Sequence, residues 1–438
     1  MRRFAALFSG AMALSAGADL QQARQVGKNC GEMLRAMGIN VNFAPVLDVN
    51  IEPMNPIIGN RSYGDDPQRV ADVGCAVMEG MVEGGVIATL KHYPGHGNVN
   101  TDSHLDLPVN HTDPAVLEKT EFLPFQQAFR RGAPALMSCH IVFPKIDPEL
   151  PATLSPAIIG DLLRKKQGFD GLVFTDCMEM DAIQRGWGMA RGAVLAVAAG
   201  CDVLCISHHL EQVQSAVEAI EQAVADGIIP RSRIQESYDR IMAAKKKMGL
   251  LELQQVSLEQ AEAVIHDAEK IALHKQVARN SVTLLCDKGG LSALQQAKKP
   301  MILAPVFQSS TGVEDKEYDG RSFARSASAA LGWDFVEYPM TPTEEERAAV
   351  LAAVSQADAL VLGLYNCRFR ESQRALVEQV FGKGIPVVAA LLGGPYDVPY
   401  AAKADAAVCC YEYTPLAVSA LVEALRTGEF YGKLPIKL

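Results

Sequence analysis

The sequence predicts an α/β protein built on parallel sheets, and two observations carry that reading. Short apolar runs recur at 85–91, 135–141, 171–176 and 202–207, separated by stretches with helical periodicity. Strands that alternate with helical crossovers pair in parallel. The first helical stretch, Ala18 to Met37, spaces Ala23, Val26, Cys30, Met33 and Met37 in steps of three and four, which makes one apolar face.

Taken in order, that helix leads into a strand at Val41 to Val46, and Gly85 to Leu90 gives the next. Ser155 is placed to cap a helix, with Pro156 in its first turn and Gly168 near its end. Asp202 to Ser207 precedes the amphipathic run Leu210 to Ala225. A charged, Gln-rich helical linker over 251–280 then joins a catalytic domain, 1–250, to a smaller domain, 281–438. Strands of the smaller domain are read at Met301–Pro305, Ala359–Leu364 and Ile385–Leu391. Helices Glu344–Gln356 and Glu371–Phe381 fall between them, the pattern of a doubly wound layer. Gly393-Gly394-Pro395 reads as a turn and not as a ligand loop.

Composition narrows the function classes. At 438 residues the chain is long enough for two domains and a large core. Net charge is −10, and the tight basic run Lys245-Lys246-Lys247 sits late in a helix, where cations suit the dipole. Neither nucleic acid nor a membrane is an expected partner. Ten cysteines show no metal-ligand or disulfide-framework spacing. Apolar neighbours around Cys75, Cys139, Cys201 and Cys205 predict buried free thiols and a reducing, cytoplasmic compartment. The start, Met1-Arg2-Arg3-Phe4 followed by an Ala-rich apolar stretch, has the form of a secretory signal.

The chemistry concentrates in Lys91-His92-Tyr93-Pro94-Gly95-His96-Gly97-Asn98-Val99-Asn100-Thr101-Asp102-Ser103-His104. Pro94, Gly95 and Gly97 break regular structure, so these polar groups sit on a loop at the C-terminal end of a strand, where βα proteins carry their catalysts. A His-x3-His zinc site would need a helix, which Pro94-Gly95 excludes. No Gly-rich element with a Lys-Ser/Thr pair is present to cradle phosphate. A purely structural turn would not need so many titratable groups. Catalysis without a metal or cofactor is the favoured reading.

This stretch resembles the Lys-His-Phe/Tyr-Pro-Gly-His-Gly-x4-Asp-Ser-His signature of family 3 glycoside hydrolases, in their β-N-acetylglucosaminidase branch. Asn42 to Val49, Gly59-Asn60-Arg61-Ser62-Tyr63, Gly168 to Asp176 and Gly432 to Ile436 follow in the family's order. Phe8 to Leu14 also resembles an internal family segment, just after an Asp-x-Glu-Gly-Gly motif that this chain lacks. On that resemblance the signal-like start is an internal segment. The first domain is then a TIM-type (β/α) barrel, incomplete at its N-terminus, with five of eight strands legible. The C-terminal domain is a doubly wound α/β sandwich.

The resemblance also implies roles. Asp176, at the end of its strand, matches the nucleophile of a retaining glycosidase; its other reading is a helix N-cap. His104 matches the general acid/base, with Asp102 holding its tautomer. Lys91, His92 and Arg61 match sugar-binding positions, and Asp48 is a candidate to orient one of these cations. His96 reads as a loop-shaping hydrogen bonder. The implied activity is removal of terminal β-linked N-acetylglucosamine from muropeptides or short amino-sugar oligosaccharides. A phosphorylase of the same branch stays open, because a neutral His104 would not repel phosphate. So does an inactive truncated homologue. The oligomeric state is not legible.

Overall fold

The computed structural model describes residues 8–99, 107–252, 255–309 and 316–437. These residues fall into two compact units, one lying within 20–267 and the other within 8–19 and 268–437.

The first unit is organised by a parallel sheet of β1 (Val41–Asn42), β2 (Ile87–Tyr93), β3 (Ala135–Ser138), β4 (Leu172–Cys177) and β5 (Val203–Cys205), hydrogen-bonded in that order. Each crossover carries helix, such as Pro67–Glu83 between β1 and β2 and Gly188–Ala199 between β4 and β5. Parallel pairing then puts every C-terminal strand end on one edge. The incomplete barrel expected from the resemblance, with five strands legible, is met in part. Among the described residues five strands form a half-barrel, because the segment from 41 to 205 holds only that many strand-plus-crossover repeats.

Local chemistry explains the elements. Asp66 accepts the Arg69 N–H at 2.8 Å and starts the helix Pro67–Glu83, with Pro67 in the first turn. That helix packs on Leu20–Ala36 through glycines. A Cβ on Gly80 would lie 1.9 Å from the Arg24 carbonyl oxygen, and one on Gly27 would lie 2.3 Å from that of Val77. Ser155 caps the next helix by accepting the Ile158 N–H at 3.1 Å, and the turns from Pro156 to Lys166 are wound as a π-helix.

Behind the sheet, Asp202 fixes the start of β5. Its fully buried carboxylate accepts from the Arg164 Nη2 at 2.6 Å, the Arg233 Nη2 at 2.8 Å and the Arg240 Nη1 at 3.4 Å. It also accepts from the Ser237 hydroxyl at 2.7 Å and the Val173 N–H at 3.0 Å. One carboxylate thus ties β4 to helices Pro156–Lys166 and Arg231–Lys247.

The second unit has a six-stranded sheet, in the order β8 (Asp334–Tyr338), β7 (Pro300–Pro305), β9 (Ala359–Leu364), β10 (Val387–Leu391), β11 (Ala406–Cys409) and β6 (Thr283–Asp287). All pairs are parallel except β11 with β6. Alternate residues of one strand enter separate cores: Ile302 and Ala304 one, Met301 and Leu303 the other. Period-two alternation into two apolar layers is what a sheet covered on both faces requires. Helix Ala11–Gly17 belongs to this unit and buries Met12, Ala13 and Ala16 in the second core.

All ten cysteines are unpaired; Cys75, Cys139 and Cys201 are buried and Cys205 is half-buried. Among the described residues no helix is long and apolar enough to cross a membrane.

Asp202→Ala strands three guanidinium groups around an emptied site. It should lower unfolding stability by roughly 3–5 kcal/mol, the range for breaking a buried ion pair, measured by urea denaturation. A loss under about 1 kcal/mol, the scale of an exposed pair, would contradict that role.

Candidate active site

The site assembles at the C-terminal edge of the first sheet. Beyond β1 the chain continues alongside β2: the Thr89 N–H donates to the Ala44 carbonyl at 2.9 Å, the Lys91 N–H to Pro45 at 3.1 Å, and the Leu47 N–H to Lys91 at 2.6 Å. This pairing delivers Asp48 beside His92. The Asp48 Oδ1 accepts the backbone N–H groups of His92 at 3.1 Å and His96 at 2.7 Å, while Oδ2 lies 2.7 Å from the His92 Nδ1. Burial pushes the Asp48 carboxyl up, but the neighbouring His92 and its hydrogen bonds outweigh that and hold the group below its ordinary value.

The loops around Asp48 are pinned to the Lys-His turn. The Asn55 amide donates to the His96 carbonyl at 2.8 Å, and the Ser62 hydroxyl donates to the Asp48 carbonyl at 2.6 Å. Gly97 passes so close to Val49 that a Cβ would sit 1.8 Å from its carbonyl oxygen, so only glycine fits. Ser62 follows the single helical turn Gly59–Arg61, so its bond also fixes the backbone beside Arg61.

With Nδ1 committed to Asp48, the His92 Nε2 faces the Asp176 Oδ2 at 4.0 Å, too long for a direct hydrogen bond. Asp176 is the penultimate residue of β4 and is about one quarter exposed. Burial pushes its carboxyl up; the charges of His92 and His140, the Cys177 N–H at 2.8 Å and the Lys91 charge together bring it below its ordinary value. It is therefore a carboxylate near neutral pH. Among the described residues the sequence-predicted Asp176, Lys91, His92 and Arg61 are electrostatically coupled. Arg61 is pushed down by burial against the pull of Asp48 and Asp176. Lys91 is pushed down to about 8 by burial and by Arg61, against the pull of Asp176 and Asp48. His96 is buried and pushed down to about 4 by burial and by His92, so its ring is neutral. Asp102 and His104 lie outside the described residues.

Sequence reasoning missed His140. Its buried ring bridges two segments, the Nε2 donating to the Cys177 carbonyl at 3.0 Å and the Nδ1 lying 2.9 Å from the Thr153 hydroxyl. It thereby braces the chain just beyond Asp176. A signal existed: His140 follows the apolar run of β3 much as Lys91 and His92 follow that of β2.

A carboxylate kept ionised at a strand end, faced by an imidazole, an ammonium and a guanidinium, can attack an electrophilic carbon and bind hydroxyl groups around it. That is the equipment of a glycosidase-type site. The chain belongs to glycosyl hydrolase family 3, whose N terminal domain it matches over residues 1–244.

Relatives agree with that placement. A beta-N-acetylglucosaminidase/beta-glucosidase of Cellulomonas fimi is 26% identical over 457 residues, covering 97% of this chain and 79% of that protein. A beta-hexosaminidase of Stenotrophomonas maltophilia strain K279a is 40% identical over 191 residues, 43% of this chain and 55% of that protein. The match thus spans little more than half of the latter's length. The solved family 3 beta-N-acetylglucosaminidase of Paenibacillus sp. FPU-7 superposes with a TM-score of 0.91 at 36% identity, covering 99% of this chain and 83% of that one. A beta-glucoside phosphorylase shares the fold, with a TM-score of 0.85 at 23% identity over 99% of this chain and 81% of that one.

Lys91 should titrate near pH 8, charged below and neutral above. Side-chain NMR of 13C-labelled lysine, assigned with Lys91→Met, checks this. A midpoint above about 10, the ordinary value for an exposed lysine, would contradict the packing of Lys91 against Arg61.

Proposed function

We propose that this chain is a retaining, exo-acting β-N-acetylglucosaminidase that removes terminal β-linked N-acetylglucosamine from muropeptides or short amino-sugar oligosaccharides. The observation that carries the reading is the ionised Asp176 carboxylate at the end of β4, facing the Asp48-anchored His92. The names of the relatives supply the substrate class.

In this reading Asp176 attacks the anomeric carbon as the leaving oxygen takes a proton, and a covalent glycosyl-enzyme forms. Water then attacks the same carbon and frees the sugar with its configuration retained. The proton comes from His104, oriented by Asp102, and returns to it as water is activated. An imidazole with an ordinary value near ~6.5 serves both steps around neutral pH. Lys91, His92 and Arg61 donate to the sugar hydroxyls. His92 is held for that task by Asp48, since its Nδ1 proton is already engaged and only Nε2 faces the cleft.

Asp176→Asn removes the nucleophile's charge at nearly constant shape. Turnover of a chromogenic N-acetyl-β-glucosaminide should fall by about a thousand-fold or more, since about 4 kcal/mol of transition-state stabilisation is lost, while the thermal unfolding profile is kept. Appreciable turnover by the variant would refute the assignment. The parent is assayed with and without inorganic phosphate. Free N-acetylglucosamine in both cases supports the hydrolase, and a phosphate-dependent sugar 1-phosphate would make the chain a phosphorylase.

A further inference from the structure

Immediately past the proposed nucleophile begins a cluster that sequence reasoning did not anticipate. The Cys177 thiol, the Glu179 carboxylate and the His208 ring offer ligand atoms that all lie within 4.8 Å of one another. The Glu179 side chain is only 7% exposed, whereas Cys177 is half-buried and the His208 side chain is 72% exposed. The group is therefore reachable from solvent.

The carboxylate is fixed by the 207–209 loop, which donates to both of its oxygens. Its Oε1 accepts the His209 N–H at 2.9 Å and lies 2.8 Å from the His209 Nδ1. Its Oε2 accepts the Ser207 and His208 N–H groups at 2.8 and 2.9 Å. The same oxygen lies 2.9 Å from the His208 Nδ1 and 3.7 Å from the Cys177 Sγ. Oriented ligands of this kind, held by backbone donors, are what metal centres use.

We propose that Cys177, Glu179 and His208 form a site for a thiophilic divalent cation, zinc in the first instance, and that its occupancy inhibits the enzyme. Zinc bonds of about 2.3 Å to sulfur and about 2.0–2.2 Å to nitrogen and oxygen put tetrahedral ligands roughly 3.3–3.6 Å apart. The sulfur–oxygen separation, 3.7 Å, lies just beyond the upper end of that range and needs only a slight closing. The nitrogen–oxygen pair must open by a few tenths of an ångström as zinc replaces the proton shared there, which the exposed His208 ring can absorb. The Ser207 hydroxyl, 3.5 Å from the Cys177 Sγ, or a water completes the shell. One thiolate, one imidazole and one carboxylate suit zinc over magnesium or calcium, which prefer oxygen alone. Because Cys177 is bonded to Asp176 and its N–H holds the Asp176 Oδ1, a cation on its sulfur draws on the charge of the attacking carboxylate.

The test uses the full chain stripped of metal by chelation. Calorimetric titration with zinc chloride should show one site. Cys177→Ser and His208→Gln should each weaken binding by about ten-fold or more. Cobalt in place of zinc should give a sulfur-to-metal charge-transfer band that Cys177→Ser lacks. No zinc uptake, or uptake unchanged in both variants, overturns the site; His208→Gln decides the matter if Cys177→Ser does not fold. The inhibitory claim rests on the glycosidase reading, whereas the binding measurements do not. Zinc should inhibit turnover by the parent and leave His208→Gln about ten-fold less sensitive, and binding without inhibition overturns that claim alone.

Discussion

A single buried carboxylate holds the site together. Asp48 is fully buried, and an isolated charge there would cost several kcal/mol. It is compensated by two backbone N–H groups and one imidazole, all from residues 92 to 96. Those three contacts fold the Lys-His turn over the loop that follows β1. They also decide which nitrogen of His92 is left for a substrate. Removing the charge would release the turn and the ring together.

The rest of the site follows from the edge on which that carboxylate sits. Parallel pairing places the ends of β2 and β4 on the same edge, and the β2–β3 and β4–β5 ladders both shift register at the last residues, between Leu90 and Tyr93 and between Phe174 and Cys177. Irregular ends let Lys91, His92 and Asp176 leave the regular inward–outward alternation of a strand. The cations are packed more closely than their mutual repulsion favours: Lys91 is lowered partly by Arg61, and both are restrained by Asp48 and Asp176. A cleft that holds positive charge beside an ionised carboxylate is poised for a polar ligand. The stabilising charge network of the same unit, around Asp202, lies at the start of β5, at the other end of the strands.

What the sequence shows and what it hides divide along physical lines. The strands at 85–91 and 171–176 are legible because an uninterrupted apolar run that stops at charged residues fits a buried strand and little else. Asp176, Lys91, His92 and Arg61 stand out because each sits where a run stops or a motif continues. Asp48 is visible only as a candidate, since its partners lie 44 and 48 residues away and no local pattern pairs them. His140 escapes because the run 135–141 reads as one strand that contains it, although β3 ends at Ser138. Glu179 looks like part of a helix start, while its donors come from residues 207–209. The curl of the first sheet is read from resemblance alone, whereas its five strands are legible as apolar runs, and among the described residues they form a half-barrel. Nothing in Ala11–Gly17 itself tells which sheet it packs against; only the tertiary structure assigns it to the second unit.

The central claim is that Asp176 is the residue that bonds to the sugar. A slowly released fluorinated N-acetyl-β-glucosaminide, mixed with the enzyme and quenched in acid, traps that bond for peptide mass spectrometry. One sugar equivalent per chain is expected, carried on Asp176 and absent from Asp176→Asn. A label on any other carboxylate, or turnover with no covalent species and an inverted product, would contradict it.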